Sequence, residues 1–298
     1  MSQSPIGPEI LRKLDAFSLH TRRAVLGFRQ GTHRSIRRGH GVEFAEYRQY
    51  ELGDNPRYID WNLYGRSDKL YIKRYLEEEN VSVFIVIDGS GSLTHPDLSI
   101  KWQFAKTLAT YAGYIALASQ DPVTISVLGH ASSPAFAGGR AFSRIPALLT
   151  SLESRFTYEP KDIDLIKEAR RLASRMNFPG VCIFLSDFLY PVLEVSEVLA
   201  AFRARNMEVH AVQVLSESDV TPGNSPDGIT LADSETGESA PLLLDAGSLL
   251  TYQKRMVSHV ASVRSHCLSH QVQFSSHIAK EPLSEGCISA LQEMSLFI

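Results

Sequence analysis

An apolar run that ends in one carboxylate and two hydroxyls constrains the fold of this chain most strongly. Residues 81–87 read Val-Ser-Val-Phe-Ile-Val-Ile, and Asp-Gly-Ser-Gly-Ser follows directly. Such a run is typical of a strand buried on both faces of a parallel sheet. Open α/β sheets place their ligand sites at the carboxyl ends of such strands. The sequence therefore predicts a polar site that contains Asp88, Ser90 and Ser92.

The Asp-x-Ser-x-Ser pattern resembles the metal-ion-dependent adhesion site of von Willebrand factor A (vWA) domains. In that family these residues hold a divalent cation, which accepts a carboxylate from a partner protein. A second apolar strand, residues 181–185, ends in Ser186-Asp187, and Asp187 matches a further Asp of the vWA pattern. Such oxygen ligands suit Mg²⁺, and Mn²⁺ or Ca²⁺ is compatible. The alternative is a turn without metal, because Ser and Gly are common at helix starts and turns.

A longer pattern precedes the first strand. Residues 41–50 read Gly-Val-Glu-Phe-Ala-Glu-Tyr-Arg-Gln-Tyr, residues 53–61 read Gly-Asp-Asn-Pro-Arg-Tyr-Ile-Asp-Trp, and Arg66 and Lys73 follow. The order and spacing resemble the bacterial family known as domain of unknown function 58, over residues 20–290. This resemblance implies a vWA-like fold, no established enzymatic activity, and frequent pairing with MoxR-type AAA+ ATPases.

The vWA pattern also uses a Thr from the loop after the second helix. Members of the resembled family commonly show Gly-Thr-Asp-Leu there, and aligning Asp164-Leu165 with Asp-Leu puts Ile163 at the Thr position. Thr157 can substitute from nearby, or the site can lack this ligand. We therefore expect weak metal binding.

Alternation of apolar strands and helices predicts an α/β, Rossmann-like vWA domain with a mostly parallel central sheet and helices on both faces. This domain is expected over residues 81–298, with a β-hairpin insertion near 229–245 and one helix at 142–154. Residues 1–80 are expected to contain an amphipathic helix at 8–27, a basic segment and a small accessory β element.

The accessory element carries closely interleaved opposite charges around one tryptophan. These residues are Arg48, Asp54, Arg57, Asp60, Trp61 and Arg66. Arg binds carboxylates through a planar, bidentate fork. We interpret the set as a buried salt-bridge network, with Arg57 and Asp60 anchoring the element on the vWA domain and Trp61 as its apolar contact. A dock for a peptide or phosphate is the alternative.

The segment Arg22–Arg38 contains six arginines and no acidic residue. It is either solvated surface or a site for an acidic partner protein. Nucleic-acid binding is disfavoured, because only Phe28 is available for base stacking and the net charge of the chain is -3.

The composition indicates a cytoplasmic protein. No apolar run approaches the length that spans a bilayer, and the N-terminus lacks the features of a signal peptide. The three cysteines are odd in number and widely spaced, which fits a reducing compartment.

The sequence favours binding over catalysis. No Gly-x-Ser-x-Gly, P-loop or His-Glu-x-x-His motif occurs. We expect a non-catalytic adaptor for a MoxR-type AAA+ ATPase and a client protein, with Mg²⁺ held by Asp88, Ser90, Ser92, Asp187 and Thr157. The alternative is a Mg²⁺-dependent phosphoryl-transfer or hydrolytic enzyme using Asp88. Such a site needs compensating positive charge, and no Lys directly follows Asp187.

Overall fold

The described part of the chain falls into two compact units. The computed structural model describes residues 6–19, 43–54, 56–76, 81–94, 99–130, 135–136, 163–176, 180–221, 229–232, 239–242 and 246–297. Residues 1–22 and 81–298 cluster as the larger unit, and residues 23–80 form the smaller one.

The elements are numbered in chain order. The strands are β1 (Glu43–Gln49), β2 (Tyr71–Leu76), β3 (Ser82–Ile87), β4 (Val123–Val127), β5 (Ala135–Phe136), β6 (Gly180–Ser186), β7 (Glu208–Ser216), β8 (Ile229–Ala232), β9 (Ser239–Leu242) and β10 (Gln273–Ala279). The helices are α1 (Pro8–Leu14), α2 (Trp61–Ser67), α3 (Gly91–Thr94), α4 (Ser99–Ala118), α5 (Leu165–Ala173), α6 (Val192–Arg203), α7 (Glu217–Val220), α8 (Ala246–Ser269) and α9 (Leu283–Glu293).

A six-stranded sheet in the order β10-β7-β6-β3-β4-β5 forms the centre of the larger unit. The five strands from β10 to β4 are parallel, and the short edge strand β5 is antiparallel to β4. The chain leaves β3 toward β4 and leaves β6 toward β7, in opposite directions across the sheet. The carboxyl ends of β3 and β6 therefore flank a topological switch point, where open α/β sheets form a crevice. The predicted α/β fold class with a mostly parallel central sheet is confirmed.

Apolar residues on alternate sides of the strands create a core on each face of the sheet. Ile85 faces a core with α1, α4 and α9, and Leu14, Phe104 and Leu291 pack there. Phe184 faces the other core, which also contains side chains of α5, α6 and α8. This two-faced burial explains why β3 and β6 are continuous apolar runs.

The N-terminal helix differs from its prediction in length and placement. Helix α1 ends at Leu14 instead of residue 27, and its buried Leu14 packs in the core of the larger unit. The Tyr114 hydroxyl donates a hydrogen bond to the Asp15 carboxylate just beyond the helix end. Leu19 then forms a bridge with Phe297. The contacts thus group this helix with the larger unit, whereas the sequence analysis grouped it with the accessory element.

One further sequence prediction is confirmed, and two fall on residues that the structure does not describe. Strands β8 and β9 pair antiparallel as the hairpin predicted near 229–245. The predicted helix at 142–154 and the segment Arg22–Arg38 lie outside the described residues. Among the helices that are described, none combines the length and apolarity that crossing a membrane requires.

The described residues of the smaller unit form an antiparallel pair of strands, a short 3-10 helix at Pro56–Tyr58 and one capped helix. Strand β1 pairs with β2, with a register shift between Phe44 and Glu46. Asp60 caps helix α2, because its Oδ1 accepts hydrogen bonds from the backbone N–H groups of Asn62 at 3.0 Å and Leu63 at 3.2 Å. The Tyr47 hydroxyl donates to Asp60 Oδ2 at 3.0 Å, which joins strand and helix.

The charged set of the smaller unit is only partly the buried network that its sequence suggested. Arg48 donates to Asp54 at 2.6 Å, and the Asp54 carboxylate also accepts from the Glu51 backbone N–H at 2.9 Å. Arg57, however, is exposed, and the side chain of Trp61 is 61% exposed and makes an edge contact with Tyr64. The interpretation of Trp61 as a buried apolar contact is wrong, because it lies on the solvent side of helix α2.

Candidate functional site

The predicted polar residues meet where strands β3 and β6 end. Asp88 and Asp187 follow these adjacent strands, and both are fully buried. The Asp88 backbone N–H donates to the Leu185 carbonyl at 2.8 Å. The Ser186 hydroxyl donates to Asp88 Oδ2 at 2.6 Å, so the two strand ends are joined by a side-chain hydrogen bond as well.

The loop after β3 brings the two serine hydroxyls together beside Asp88. The Ser90 backbone N–H donates to Asp88 Oδ1 at 2.9 Å, and the hydroxyls of Ser90 and Ser92 are 3.2 Å apart. Gly89 permits this path, because a Cβ at that position would lie 2.0 Å from the carbonyl oxygen of Leu128. The structure thus places Asp88, Ser90 and Ser92 at one edge, as the sequence predicts.

Burial and like charge both act on Asp88. The pKa of Asp88 is raised to about 6, mainly by burial and then by the negative charge of Asp187. Hydrogen bonds from Ser186 and Ser90 lower the pKa and partly offset these effects. A carboxylate in this environment is favoured by any added positive charge.

A buried lysine supplies positive charge at this site. The side chain of Lys101 is 1% exposed, and its Nζ lies 3.0 Å from Asp187 Oδ2 and 3.1 Å from Asp219 Oδ2. No Lys directly follows Asp187 in the sequence, and the lysine comes instead from helix α4, 86 residues distant in sequence. Its signal in the sequence is its position three, four and seven residues before Phe104, Ala105 and Leu108, on the buried face of α4.

Asp219 is a third carboxylate of the site that the sequence analysis missed. It lies in helix α7, directly after β7, where its side chain accepts from the Ser216 backbone N–H at 2.7 Å. The Ser216 side chain in turn accepts from the Asp219 backbone N–H, which completes a capping box. The Ser-x-x-Asp spacing after an apolar strand was the available signal.

The loop after β6 is strained and rich in aromatic residues. Phe188 is buried in the left-handed region with φ of 51°, where residues other than Gly are uncommon. Its backbone N–H donates to the Ser186 hydroxyl at 2.9 Å, and its carbonyl lies 2.7 Å from His259 Nε2. Packing of Phe188 against Phe184 and Tyr190 supports the strained conformation.

The phenol of Tyr190 is an unusual buried group at this edge. Its oxygen has no hydrogen-bond partner among the described residues. Burial raises its pKa well above the ordinary value, the negative charge of Asp88 adds to this effect, and the nearby Ser186 hydroxyl lowers it. Because buried polar groups are normally hydrogen-bonded, the Tyr190 hydroxyl is a candidate to bind a water molecule or a ligand atom.

The third hydroxyl of the vWA pattern is not supplied at position 163. A Cβ at Gly129, which has φ of 81°, would lie 2.7 Å from Ile163 Cδ1, so the isoleucine packs tightly against that turn. Ile163 also packs against the core that contains α5. Thr157 lies outside the described residues, and its role as a ligand stays a prediction.

The site at the ends of β3 and β6 contains hydroxyl oxygens and excess negative charge, but its side chains do not form a dense cluster of metal ligands. Among the described residues, no group of three or more His, Cys, Asp or Glu side chains suits a metal ion. The ammonium of Lys101 contacts Asp187 and Asp219, and the charge of Asp187 in turn acts on Asp88. When all four are ionised, two negative charges remain uncompensated.

Comparisons with known proteins give solved structures to which this chain is similar and a family to which it belongs. The model is similar to the crystal structure of the conserved hypothetical protein BatB from Bacteroides thetaiotaomicron, with 13% identity over 72% of this chain and 99% of the other and a TM-score of 0.41. It is also similar to the SpRpn10 VWA domain, with 12% identity over 71% of this chain and 95% of the other and a TM-score of 0.37.

Sequence comparison gives more closely related proteins of unassigned role. The uncharacterized proteins Rv1480 of Mycobacterium tuberculosis and Mb1516 of Mycobacterium bovis are each 26% identical to this chain over 268 residues, which is 86% of this chain and 80% of theirs. The model of the family described as protein of unknown function DUF58 matches residues 46–259. Since that match covers most of the chain, this protein belongs to the DUF58 family.

Proposed function

We propose that this protein is a non-catalytic protein-binding module whose binding site is the carboxyl edge of strands β3 and β6. The observation that carries the proposal is the convergence of Asp88, Ser90 and Ser92 beside Asp187 at the topological switch point. Ligands of open α/β sheets bind in this position. Membership of the DUF58 family leaves the function open, so the proposal rests on the site.

The residues present fit a weakly held, partly hydrated divalent cation, for which Mg²⁺ is our first choice and Mn²⁺ or Ca²⁺ is compatible. The Ser90 and Ser92 oxygens are 3.2 Å apart. Neighbouring oxygens of an octahedral Mg²⁺ shell are separated by roughly 3 Å, given the usual metal–oxygen distance. Asp88 and the two serines would hold the ion, and Asp187 would act from farther away because its Oδ2 accepts the Lys101 ammonium.

The chain's own residues prepare this edge for a negatively charged partner. A bound cation would supply the positive charge that accepts a carboxylate of the partner. Lys101 offsets one of the three negative charges at this edge, and a bound divalent cation would offset the other two, so that the edge would not repel that partner. The unpartnered Tyr190 hydroxyl would donate a hydrogen bond to a ligand oxygen or a water. Ile163 offers no oxygen at the Thr position, so we expect weak cation binding.

We further propose, from the family resemblance, that the partners are a MoxR-type AAA+ ATPase and a client protein. The module would then act as an adaptor in complex assembly or maturation. We place it in the cytoplasm, where its free, buried cysteines Cys182, Cys267 and Cys287 would stay reduced.

Capture of the purified cognate MoxR-type ATPase tests the proposal. Chelators are unsuitable because the ATPase itself needs Mg²⁺ with its nucleotide, so the comparison uses site variants in constant Mg²⁺. We expect the double variant Ser90→Ala/Ser92→Ala to retain much less ATPase than the parent. The matched control Ser174→Ala changes an exposed serine at the end of α5 and should bind like the parent. Equal retention by the parent and the double variant would contradict the proposal.

One observation favours the enzymatic alternative and another disfavours it. Lys101 provides the compensating charge that a phosphoryl-transfer site using Asp88 requires. Asp88, however, is fully buried, and both of its oxygens accept hydrogen bonds, from Ser90 and Ser186. Turnover of a phosphate ester with Mg²⁺, together with an acyl phosphate on Asp88 detected by mass spectrometry, would support the enzyme.

A further inference from the structure

Helix α8 has a buried apolar side and, next to it, an exposed row of apolar and basic side chains. Met256, Val263 and Cys267 are buried along one side of the helix. A second set of side chains recurs at alternating intervals of four and three residues and is exposed. This set, which we call the α8 stripe, is Leu250, Lys254, Val257, Ala261, Arg264 and Leu268.

The α8 stripe has the spacing of a coiled-coil seam. Leu250 is 58% exposed, Val257 68% and Leu268 59%. Alternating intervals of four and three residues are the a and d positions of a heptad repeat, which pack against a second helix. A single exposed Leu needs no explanation, but an ordered row of them along one helix indicates an interaction surface.

The charge of helix α8 indicates what kind of helix fits the stripe. Its 24 residues include no Asp or Glu. Lys254 and Arg264 lie within the stripe, and Arg255 lies on the adjoining flank. No ion pair among the described residues involves Lys254 or Arg255. The Arg264 guanidinium is held 5.7 Å above the ring of Phe274, so its charge stays at the surface.

We propose that the α8 stripe is the docking site for an acidic amphipathic helix of another protein. The partner helix would place apolar side chains between Leu250, Val257 and Leu268 and acidic side chains near Lys254 and Arg264. This interaction needs no cation and is independent of the function proposed for the Asp88 site.

The flank of the stripe is suited to close approach of a helix. Most of its side chains are exposed Ser and Thr, and some of their hydroxyls donate hydrogen bonds to backbone carbonyls of the same helix. The Thr251 hydroxyl donates to the Gly247 carbonyl at 2.9 Å, and the Ser262 hydroxyl donates to the Ser258 carbonyl at 2.8 Å. Short side chains that are already satisfied cost little to desolvate when a partner covers them.

Other occupants fit the stripe less well. A second copy packed antiparallel would match Leu250 with Leu268 but would set Lys254 against Arg264, and like charges disfavour that pairing. A membrane surface favours a broad apolar face rather than a narrow seam. The phosphates of a nucleic acid would contact only the basic side chains, and the apolar side chains of the stripe would stay without an apolar contact.

Helix α8 also contacts the segments that follow β6 and β7 at the Asp88 site. The Tyr252 hydroxyl donates to the Asp219 carbonyl at 2.8 Å, and His259 Nε2 lies 2.7 Å from the Phe188 carbonyl. Asp219 in turn contacts Lys101. A protein that docks on α8 would therefore lie next to the Asp88 site, and one partner could contact both.

A labelled synthetic helix provides the test with the full-length protein. The probe has Leu at heptad positions a and d and Glu at e and g, and its like charges keep it monomeric. We expect saturable binding in fluorescence anisotropy, and a Val257→Glu variant should weaken it by about tenfold or more because the new carboxylate is buried against apolar and acidic groups. The matched control Ser262→Glu, on the polar flank of the same helix, should bind like the parent.

The remaining outcomes would overturn the proposal. Absence of binding, or equal binding by the parent and Val257→Glu, would show that the stripe is not a docking site for such a helix. Tighter binding of a probe with Lys at e and g would contradict the charge argument. A dimer of the parent that Val257→Glu dissociates, measured by light scattering, would assign the stripe to a second copy. Retention on phosphatidylserine vesicles that this substitution abolishes would assign it to membranes.

Discussion

The two units of this protein each contain an ion pair, and the pairs differ in their exposure to solvent. In the larger unit the Lys101 side chain is 1% exposed and binds Asp187, which is fully buried. In the smaller unit the Arg48 side chain is 29% exposed and binds Asp54, which is 6% exposed. Solvent screens the second pair and leaves the first almost unscreened.

The difference shows why residue type alone does not reveal the role of a charge. Loss of a partner from a buried pair leaves an uncompensated charge, whereas a solvent-accessible pair loses little. The interleaved charges of the smaller unit predicted a buried network there, and no local pattern indicated a lysine beside Asp187. In the structure Lys101 lies on the buried face of α4, while Arg57 and Trp61 of the smaller unit are exposed.

Replacement of Lys101 should have the largest effect. Lys101→Met removes the ammonium and leaves Asp187 and Asp219 without their shared partner, so we expect a loss of about 3 to 5 kcal/mol in the free energy of unfolding. Urea denaturation followed by circular dichroism measures it. The control Lys167→Met changes an exposed lysine and should unfold like the parent.

A second substitution separates lost compensation from lost packing. Adding Asp187→Asn to Lys101→Met removes one of the stranded charges, so the double variant should recover part of the lost stability. The charge-compensating role of Lys101 is wrong if Lys101→Met unfolds like the parent. It is also wrong if the double variant loses as much free energy of unfolding as the two single variants lose together.

The cap of helix α2 should give the next largest effect. Asp60→Ala removes the acceptor of the Asn62 and Leu63 N–H groups, and the expected loss is about 1 to 2 kcal/mol within the smaller unit. Hydrogen exchange of these two amides should become faster. Asp60→Asn keeps a side-chain oxygen at the cap and should remain close to the parent. Unchanged amide exchange in Asp60→Ala would show that the Asp60 cap does not stabilise α2.

Asp121 tests a buried carboxylate whose main electrostatic effect is desolvation. Its pKa is raised to about 6 by burial, although the hydrogen bond from the Val81 N–H, at 2.8 Å, partly offsets the effect of burial. A raised folded-state pKa means that stability from this group is complete below its ordinary pKa and is lost as the pH rises through about 6. Asp121→Asn should therefore raise the melting temperature at pH above 6 and not below pH 4. If Asp121→Asn raises the melting temperature equally above pH 6 and below pH 4, titration of Asp121 is not the cause.

The Arg48 pair should give the smallest effect and the greatest sensitivity to salt. Arg48→Met should lower the melting temperature less than Asp60→Ala, because solvent reaches the guanidinium. The difference from the parent should shrink further in about 1 M NaCl, where exposed charges are screened within a few ångströms. A large loss that persists in high salt would mean that Arg48 acts through packing, and the comparison of the two units would fail.

Periodicity in the sequence was sufficient for the fold and insufficient for one of its boundaries. Strand β3 and strand β6 were recognisable because parallel strands buried on both faces are continuous apolar runs. The length of α1 was overestimated, because its apolar residues continue beyond Leu14 while the chain turns there and places Leu19 in a bridge with Phe297. Periodicity cannot distinguish these two ways of burying a leucine.

The candidate site was predictable to the extent that its residues follow strands. Asp88 and Asp187 were identified because strand ends of a parallel sheet share one edge. Lys101 and Asp219 reach the same place from a helix face and a helix cap, so their chemistry depends on tertiary packing that no local pattern encodes. The orphaned Tyr190 hydroxyl likewise becomes visible only when its neighbours are known.

Cation binding by the intact protein tests the proposed site most directly. We expect Mg²⁺ at millimolar concentration to give a calorimetric signal and to raise the melting temperature of the parent, because a ligand of the folded state stabilises it. Asp88→Asn should abolish both responses while the metal-free variant stays at least as stable as the metal-free parent, since a buried charge is removed. The absence of heat and of any thermal shift in the parent, or an unchanged response in Asp88→Asn, would contradict the account.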